Sequence, residues 1–219
     1  MALIPGPAGS IDACFHIAQP TSPVVLMVPP HPVSEGPMTV PNIQKIFMML
    51  VNMNYSVISF NYRGIGYSSG SFVDGEGEIA DASACLDWIR QKVDTESMFW
   101  ILGLSYGAYP ALQVLMRRPE INRFITIDMD TRKEFSFLAP CPVSGMLIQT
   151  EYGHSTHGAD TVQLTRALSF QNPSNAFLLK NIDTPNMLSD CFFPKVQDMM
   201  MSYMTDPEAA EKEPLVSAA

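Results

Sequence analysis

The sequence has no block of lysine or arginine anywhere along its 219 residues. Charged residues make up 16% of the chain, and the formal net charge is −9. Nucleic acids and anionic membranes attract proteins through basic patches, because positive side chains neutralise their phosphates. We therefore expect no nucleic-acid partner and no electrostatic attraction to an anionic membrane.

The sequence also lacks an apolar run long enough to span a bilayer. Its longest runs, VVLMV at 24–28 and MFWILGL at 98–104, have the length of β-strands. The first residues, MALIPGPAGSIDACF, contain neither a basic segment followed by a long apolar stretch nor an Arg-rich amphipathic pattern. We expect a soluble intracellular protein without membrane insertion, in a bacterial cytoplasm or a mitochondrial matrix, and not a secreted one.

Cysteine is scarce and scattered. Cys14, Cys85, Cys141 and Cys191 are far apart and form no C-x-x-C pair. Disulfide frameworks and zinc sites need cysteines at closer, patterned spacings. We expect four buried, reduced thiols, and neither a metal nor a cofactor.

Apolar runs of strand length alternate with amphipathic segments of helical spacing along the chain. Strands are predicted at 11–18, 24–28, 55–60, 98–104, 124–128, 145–149 and 176–182, and helices at 41–53, 78–92, 109–116, 160–169 and 195–204. This alternation predicts a single α/β domain over 1–205, with a mostly parallel sheet and helices on both of its faces. Residues 206–219 form an acidic polar tail, which we expect to be loosely ordered unless a partner holds it.

The stretch GLSYGAY at 103–109 follows an apolar strand and precedes a helix. Ser105 lies between Gly103 and Gly107 in a G-x-S-x-G pattern. After a buried strand, this pattern is typical of a nucleophile elbow, in which a strained turn presents a serine at the end of the sheet. The alternative is a tight strand-to-helix turn in which the serine caps the helix.

Three further motifs precede this turn. They are VPPHPVSEG at 28–36, FNYRGIGYSSGSF at 60–72 and GEGEIADASACLDWI at 75–89. In this order, the four motifs resemble those of a compact bacterial subfamily of the α/β-hydrolase superfamily, its alphaproteobacterial members in particular. The resemblance implies an eight-stranded sheet, Ser105 as nucleophile, and an oxyanion hole formed by the backbone N–H groups of Tyr106 and Val33. Residues 129–144 leave no room for a lid domain, so we expect an open site.

The chain departs from this subfamily at the other two members of a catalytic triad. The subfamily has its acid in a G-x-x-D arrangement after the strand that corresponds to 145–149, where this chain reads Thr150, Glu151, Tyr152, Gly153. The subfamily has its base in a D-H-F-F stretch after the last strand, where this chain reads NIDTPNMLSDCFF. No histidine follows His157. The usual acid and base are therefore both absent from their expected positions.

Two histidines offer a replacement base. His154 and His157 follow the strand at 145–149, and loops at the carboxyl edge of a parallel sheet converge on the elbow. One of them could take the proton of the serine, with Glu151, Asp160 or Asp128 orienting its ring. The sequence does not choose among these acids.

Other polar residues are assigned structural roles. We expect His16 to occupy an ordinary strand position and His31 to shape the loop after the strand at 24–28. Glu76, Glu78 and Asp81 form an acidic cluster that suggests either a cation site or stabilisation of a helix N-terminus. We favour the helix, because acidic side chains in a first turn interact favourably with the helix dipole.

These observations support two hypotheses of different kinds. The first is a degenerate, non-catalytic hydrolase-fold protein that serves as a structural or interaction component, such as a subunit of a larger assembly with protein partners. The second is a serine hydrolase, an esterase or peptidase, in which His154 or His157 activates Ser105. A receptor that binds a small-molecule ligand in the old active-site cleft is a third.

Overall fold

The computed structural model describes residues 2–32, 37–130, 132–138, 140–150, 158–171 and 175–211. The strands are β1 Ala2–Gly6, β2 Gly9–His16, β3 Val24–Val28, β4 Ser56–Phe60, β5 Phe99–Leu104, β6 Ile121–Ile127, β7 Gly145–Thr150 and β8 Phe177–Ile182. The helices are α1 Pro41–Asn52, α2 Glu76–Arg90, α3 Ala108–Arg117, α4 Gly158–Gln171, α5 Phe192–Thr205 and α6 Pro207–Glu211. Every strand and helix predicted from the sequence is present.

The strands form one sheet in the order β1-β2-β4-β3-β5-β6-β7-β8. β2 runs antiparallel to both β1 and β4, and the remaining pairs are parallel. The mostly parallel sheet and the eight strands implied by the resemblance are confirmed. The apolar pattern did not predict β1, whose five residues include Pro5. Proline is tolerated at a sheet edge, where its missing N–H breaks no ladder bond.

Helices cover both faces of the sheet, as predicted. α2, α3 and α4 contribute to one hydrophobic cluster, and α1 and α5 contribute to the other. β3 and β5 are buried along their whole length between the two clusters, which explains their uninterrupted apolar sequences. In the described part of the chain, none of the helices is both long and apolar enough to cross a membrane.

Part of the predicted tail is helical. α6 directly follows α5, and the Tyr203 hydroxyl donates a hydrogen bond to a carboxylate oxygen of Glu211 at 3.3 Å. The same oxygen lies 3.4 Å from Nε of Arg123 on β6. These contacts hold the first residues of the tail against the domain, while residues 212–219 lie outside the described part.

All four cysteines are free thiols. Cys85 and Cys141 are buried, as the sequence predicts, but Cys14 is half-buried and Cys191 is exposed. The prediction of four buried thiols was therefore wrong at Cys191, which lies at the start of α5 outside the apolar face of that helix.

The acidic cluster at the start of α2 is engaged by neighbouring protein groups. The Glu78 carboxylate accepts hydrogen bonds from the backbone N–H groups of Val73 at 3.0 Å and of Gly75 at 2.6 Å, the second of which is the acidic half of a capping box. The Asp81 carboxylate, 1% exposed, accepts bonds from Nε and Nη2 of Arg63 at 3.0 and 2.8 Å. The bonds to Glu78 support the helix-stabilising role, whereas Asp81 serves as the ion-pair partner of Arg63.

Replacing Asp81 by asparagine is expected to lower the free energy of unfolding by about 3 kcal/mol, because it leaves the largely buried Arg63 guanidinium without its counter-charge. Glu76→Gln is the matched control, since Glu76 pairs with Arg117 on the surface and its side chain is 77% exposed. That change is expected to cost less than about 1 kcal/mol. Urea titration of both variants measures the difference, and equal losses would contradict the assignment.

Candidate active site

Ser105 occupies the turn between β5 and α3. The turn is a single 3-10 turn over Ser105–Gly107, and α3 begins at the next residue. Ser105 has a φ of +50°, in the left-handed region that side chains rarely adopt. Such a conformation costs on the order of 1–3 kcal/mol and persists only where the surroundings enforce it. Ser105 is the N-cap neither of the turn nor of α3, so the capping alternative does not describe this serine.

The two glycines around Ser105 permit close packing of the turn. A Cβ atom at Gly107 would lie 2.3 Å from the carbonyl oxygen of Pro29 and 2.4 Å from that of Val28. A Cβ atom at Gly103 would lie 2.5 Å from the Cα atom at the start of α3. The end of β3 and the start of α3 therefore lie so close to the turn that only glycine fits at these two positions, as the G-x-S-x-G pattern predicts.

Ser105 is 1% exposed although the described residues contain no lid domain. The open site expected from the short 129–144 connection is thus not found at the serine itself.

Asp128 stands beside Ser105 at the carboxyl edge of the sheet. The parallel register pairs Leu104 of β5 with Ile127 of β6, so Ser105 and Asp128 each follow directly on paired strand ends. Asp128 is 2% exposed and has a φ of +52°, nearly the same left-handed conformation as Ser105. Two strained polar residues therefore lie on neighbouring strands at this edge.

The end of β7 holds the Asp128 carboxylate. The backbone N–H of Thr150 donates a hydrogen bond to Oδ1 at 2.7 Å, and the Thr150 hydroxyl donates one to Oδ2 at 2.8 Å. The Gln149 amide donates a longer bond to Oδ1 at 3.4 Å. These bonds fix the orientation of the carboxylate.

The side chain of Tyr106 is enclosed by aromatic rings. His31 packs edge-on against it with ring centroids 5.2 Å apart, and Phe72 and Tyr62 lie at 5.8 and 5.7 Å. His31 also packs edge-on against Phe72 at 5.1 Å. These contacts agree with the loop-shaping role predicted for His31, and they immobilise the residue whose backbone N–H is the predicted oxyanion donor.

The phenol of Tyr106 is tied to two charged residues. It hydrogen-bonds to the Asp74 carboxylate, which also accepts bonds from Nζ of Lys133 at 2.9 and 3.0 Å. Burial, together with the bond to Asp74, raises the pKa of the Tyr106 phenol. Burial acts to raise the pKa of Asp74, but the bonds from Lys133 and Tyr106 outweigh it and lower that pKa. Tyr106 therefore stays protonated as a donor to an ionised carboxylate.

Four of the predicted site residues, Val33, Glu151, His154 and His157, lie outside the described residues. The side chain of Asp160 is likewise not described. Their roles stay predictions. Among the residues that the structure does describe, no group of three or more His, Cys, Asp or Glu side chains could hold a metal ion.

Sequence reasoning named Asp128 only as one of three possible acids and gave Thr150 no role. Asp128 and Thr150 each stand at the end of an apolar run in the sequence, and this position alone indicates that both lie at the carboxyl edge of the sheet. The contact of Tyr106 with Asp74 and Lys133 left no sequence signal, because it joins three separate loops.

The stretch that was compared with D-H-F-F in the sequence ends in Asp190, Cys191, Phe192 and Phe193. Cys191 lies at the start of α5, and its Sγ is 3.0 Å from the Ser189 hydroxyl. Cys191 is exposed, whereas Ser105 is buried.

Comparison with known proteins places these features in a family context. Residues 36–211 match the family model described as alpha/beta hydrolase fold. An uncharacterized protein of Rickettsia prowazekii is 39% identical over 171 residues, which cover 76% of this chain and 72% of that protein.

Solved structures give the same picture. A protein of unknown function from Agrobacterium tumefaciens, described as a candidate alpha/beta hydrolase, is similar with a TM-score of 0.88 and 28% identity, covering 96% of this chain and 97% of that one. A serine hydrolase without a lid from Xanthomonas campestris is similar in fold, with a TM-score of 0.77 and 21% identity over 93% of this chain and 92% of that one.

Proposed function

The chain belongs to the α/β-hydrolase family, and from that premise we propose that it is a serine hydrolase acting on small carboxylic esters, with Ser105 as nucleophile. The observation that carries the proposal is Asp128, a buried carboxylate held beside the serine by the end of β7. Both residues keep a strained conformation, and such strain is concentrated at functional sites.

Asp128 has the properties required of the acid in a triad. The acid must be fixed and hydrogen-bonded so that it holds a histidine ring in one orientation and stabilises the imidazolium that forms. The bonds from Thr150 provide this fixation. Residues 151–157, which include His154 and His157, directly follow Thr150 in the chain.

The base is assigned to one of these two histidines. Thr150 contacts Asp128 directly, and four residues of extended chain span at most about 14 Å. His154 is therefore close enough along the chain to reach Asp128, and His157 precedes the first residue of α4. Either histidine would supply the base that the subfamily has in its D-H-F-F stretch and that this chain lacks there.

The reaction then follows the order of acyl transfer. The histidine takes the proton of Ser105 Oγ as that oxygen attacks the ester carbonyl carbon. The backbone N–H groups of Tyr106 and Val33 receive the oxyanion. The histidinium returns the proton to the departing alcohol, and a water molecule, deprotonated by the same histidine, releases the acid and restores the serine. The 1% exposure of Ser105 favours a small acyl group.

A fluorophosphonate probe tests the proposal. The probe is expected to label the folded protein at Ser105, with labelling that rises between about pH 6 and 9 as the histidine loses its proton. Mass spectrometry locates the adduct, and Ser105→Ala provides the blank. Folded protein that remains unlabelled throughout this pH range would overturn the proposal.

A second candidate is the non-catalytic interaction component, and the absence of histidine from the stretch that was compared with D-H-F-F favours it. In this role the protein would be an intracellular subunit of a larger assembly. It predicts no labelling of Ser105 and co-purification with protein partners under mild conditions. Recovery as a free monomer would argue against it.

A further inference from the structure

Lys133 connects the loop after β6 with two other connections at the carboxyl edge of the sheet. Its Nζ donates hydrogen bonds to both carboxylate oxygens of Asp74, at 2.9 and 3.0 Å, in the loop between β4 and α2. The same carboxylate accepts a hydrogen bond from the Tyr106 phenol, in the turn after β5. Nζ of Lys133 also stands over the ring of Tyr106, 5.7 Å from its centroid. One cation therefore links the loop that begins at Asp128 with the residue that follows Ser105.

The loop that carries Lys133 is itself fixed against α3. Phe135 and Phe137 pack edge-on against Tyr109, with ring centroids 5.8 and 5.6 Å apart. Nζ of Lys133 lies 5.5 Å from the centroid of the same tyrosine ring. The lysine side chain is thus held at its base by a packed loop and at its tip by a carboxylate. It has little freedom left, so it ties the positions of the three connections to one another.

The backbone at Asp74 carries a further mark of this arrangement. Four of the described residues other than glycine have a positive φ: Asn54, Asp74, Ser105 and Asp128. Asn54 follows the end of α1, where a left-handed asparagine is an ordinary helix ending. The other three are joined to one another through the group around Lys133. Strained backbone of this kind is concentrated at functional sites, which places Asp74 with Ser105 and Asp128.

Tyr106 is the residue that this bridge holds, and its backbone N–H is the predicted oxyanion donor. A tyrosine side chain has only two rotatable torsions, so fixing both its ring and its phenol oxygen leaves its main chain little freedom. An oxyanion donor is effective because it is already in place when the negative charge develops. Restraint of Tyr106 therefore bears directly on the transition state.

An ordinary surface ion pair would show the opposite pattern of effects. The side chains of Lys133 and Asp74 are 30% and 47% exposed, and pairs this exposed contribute little to the free energy of unfolding. Loss of the bridge is therefore expected to change catalysis much more than stability.

From the bridge that Lys133 and Asp74 form with Tyr106, we infer that Lys133 and Asp74 are positioning residues for the proposed hydrolysis, which act through the Tyr106 phenol to hold the oxyanion donor beside Ser105. The inference rests on the proposed function. The two residues take no part in the proton transfer, and their contribution is to the placement of the donor.

The test compares Lys133→Met with the parent protein in the hydrolysis of p-nitrophenyl acetate. We expect kcat to fall about tenfold, which is less than the 10²–10³-fold loss on removing a whole donor. KM is expected to stay within about twofold, because the donor acts on the transition state and not on the bound ester. Lys133→Arg keeps a cation with several N–H donors and is expected to restore most of kcat. The urea midpoint should stay close to that of the parent in both variants.

Lys92→Met is the matched control. Nζ of Lys92 also stands over an aromatic ring, that of Trp88 at 5.4 Å, but it lies just beyond the end of α2. We expect this variant to keep the parental kcat. Amide hydrogen exchange over residues 105–109, a readout that does not depend on turnover, is expected to become several-fold faster in Lys133→Met and to stay unchanged in Lys92→Met.

A double variant tests whether the bridge acts as a unit. Tyr106→Phe keeps the ring and the backbone N–H but removes the phenol, and it is expected to lower kcat by about the same factor as Lys133→Met. Because both changes break one chain of contacts, the double variant Tyr106→Phe/Lys133→Met should lose no more than either single variant.

The possible results separate this inference from the proposed function. A parent protein that hydrolyses the ester, together with an unchanged or raised kcat in Lys133→Met, overturns the inference alone, and so does a double variant whose loss is the product of the two single losses. A parent protein that neither hydrolyses the ester nor reacts with the fluorophosphonate probe overturns the proposed function and this inference with it.

Discussion

Replacing Ser105 by alanine is expected to lower the rate of ester hydrolysis by about a millionfold. The physical reason is that the acyl group has no atom to which it can be transferred, and only oxyanion stabilisation and binding remain. Replacing the histidine that serves as base has a loss of the same order, because the serine hydroxyl is a weak nucleophile without it. Hydrolysis of p-nitrophenyl acetate by His154→Ala and His157→Ala identifies which of the two is the base.

Asp128→Asn extends this series. We expect kcat to fall by about 10⁴-fold, because the amide no longer holds the histidine in the correct tautomer. Asp130→Asn, two residues further along the same loop, is the control and should change kcat by less than about threefold. Full activity of Asp128→Asn would mean that Glu151 or Asp160 is the acid, and the central observation behind the proposed function would lose its support.

Gly107→Ala is expected to lower the free energy of unfolding by at least about 4 kcal/mol, near the upper end for single substitutions. The new Cβ atom would lie 2.3 and 2.4 Å from the carbonyl oxygens of Pro29 and Val28. Val28 ends a fully buried central strand, which cannot retreat without breaking its pairing with β4 and β5. A domain has only about 5–15 kcal/mol of stability, so the variant should be largely unfolded at modest urea concentrations.

Gly75→Ala is the matched control for this prediction. A Cβ atom at Gly75 meets nothing within 4 Å, and the φ of −164° is extended backbone that alanine adopts readily. We expect its urea midpoint to stay close to that of the parent protein. Comparable losses in the two variants would show that the tight contact with the end of β3 does not govern the stability of the turn.

The strand and helix order could be predicted from the sequence because it depends on local periodicity. β3 and β5 show continuous apolar runs, and the buried face of α1 repeats at Ile43, Ile46 and Leu50. β1 escaped prediction, since ALIPG has no strand-like alternation and forms a strand only through its antiparallel pairing with β2. The helix α6 in the tail was also not predicted, because it depends on contacts of Glu211 with two other elements. Arg123 lies on β6, far away in sequence, and Tyr203 lies on α5.

The sequence by itself determined the fold class and the position of the serine turn, because the pattern around Ser105 combines a buried strand, two small residues and a helix within one short stretch. Only the tertiary structure places Asp128 at the strand end next to that serine. Asp128 becomes its neighbour through the register of β5 with β6, and Thr150 fixes it through the register of β6 with β7. The register of these parallel strands joins residues far apart in the chain, and it is set by how the buried faces of several strands pack together rather than by one short stretch.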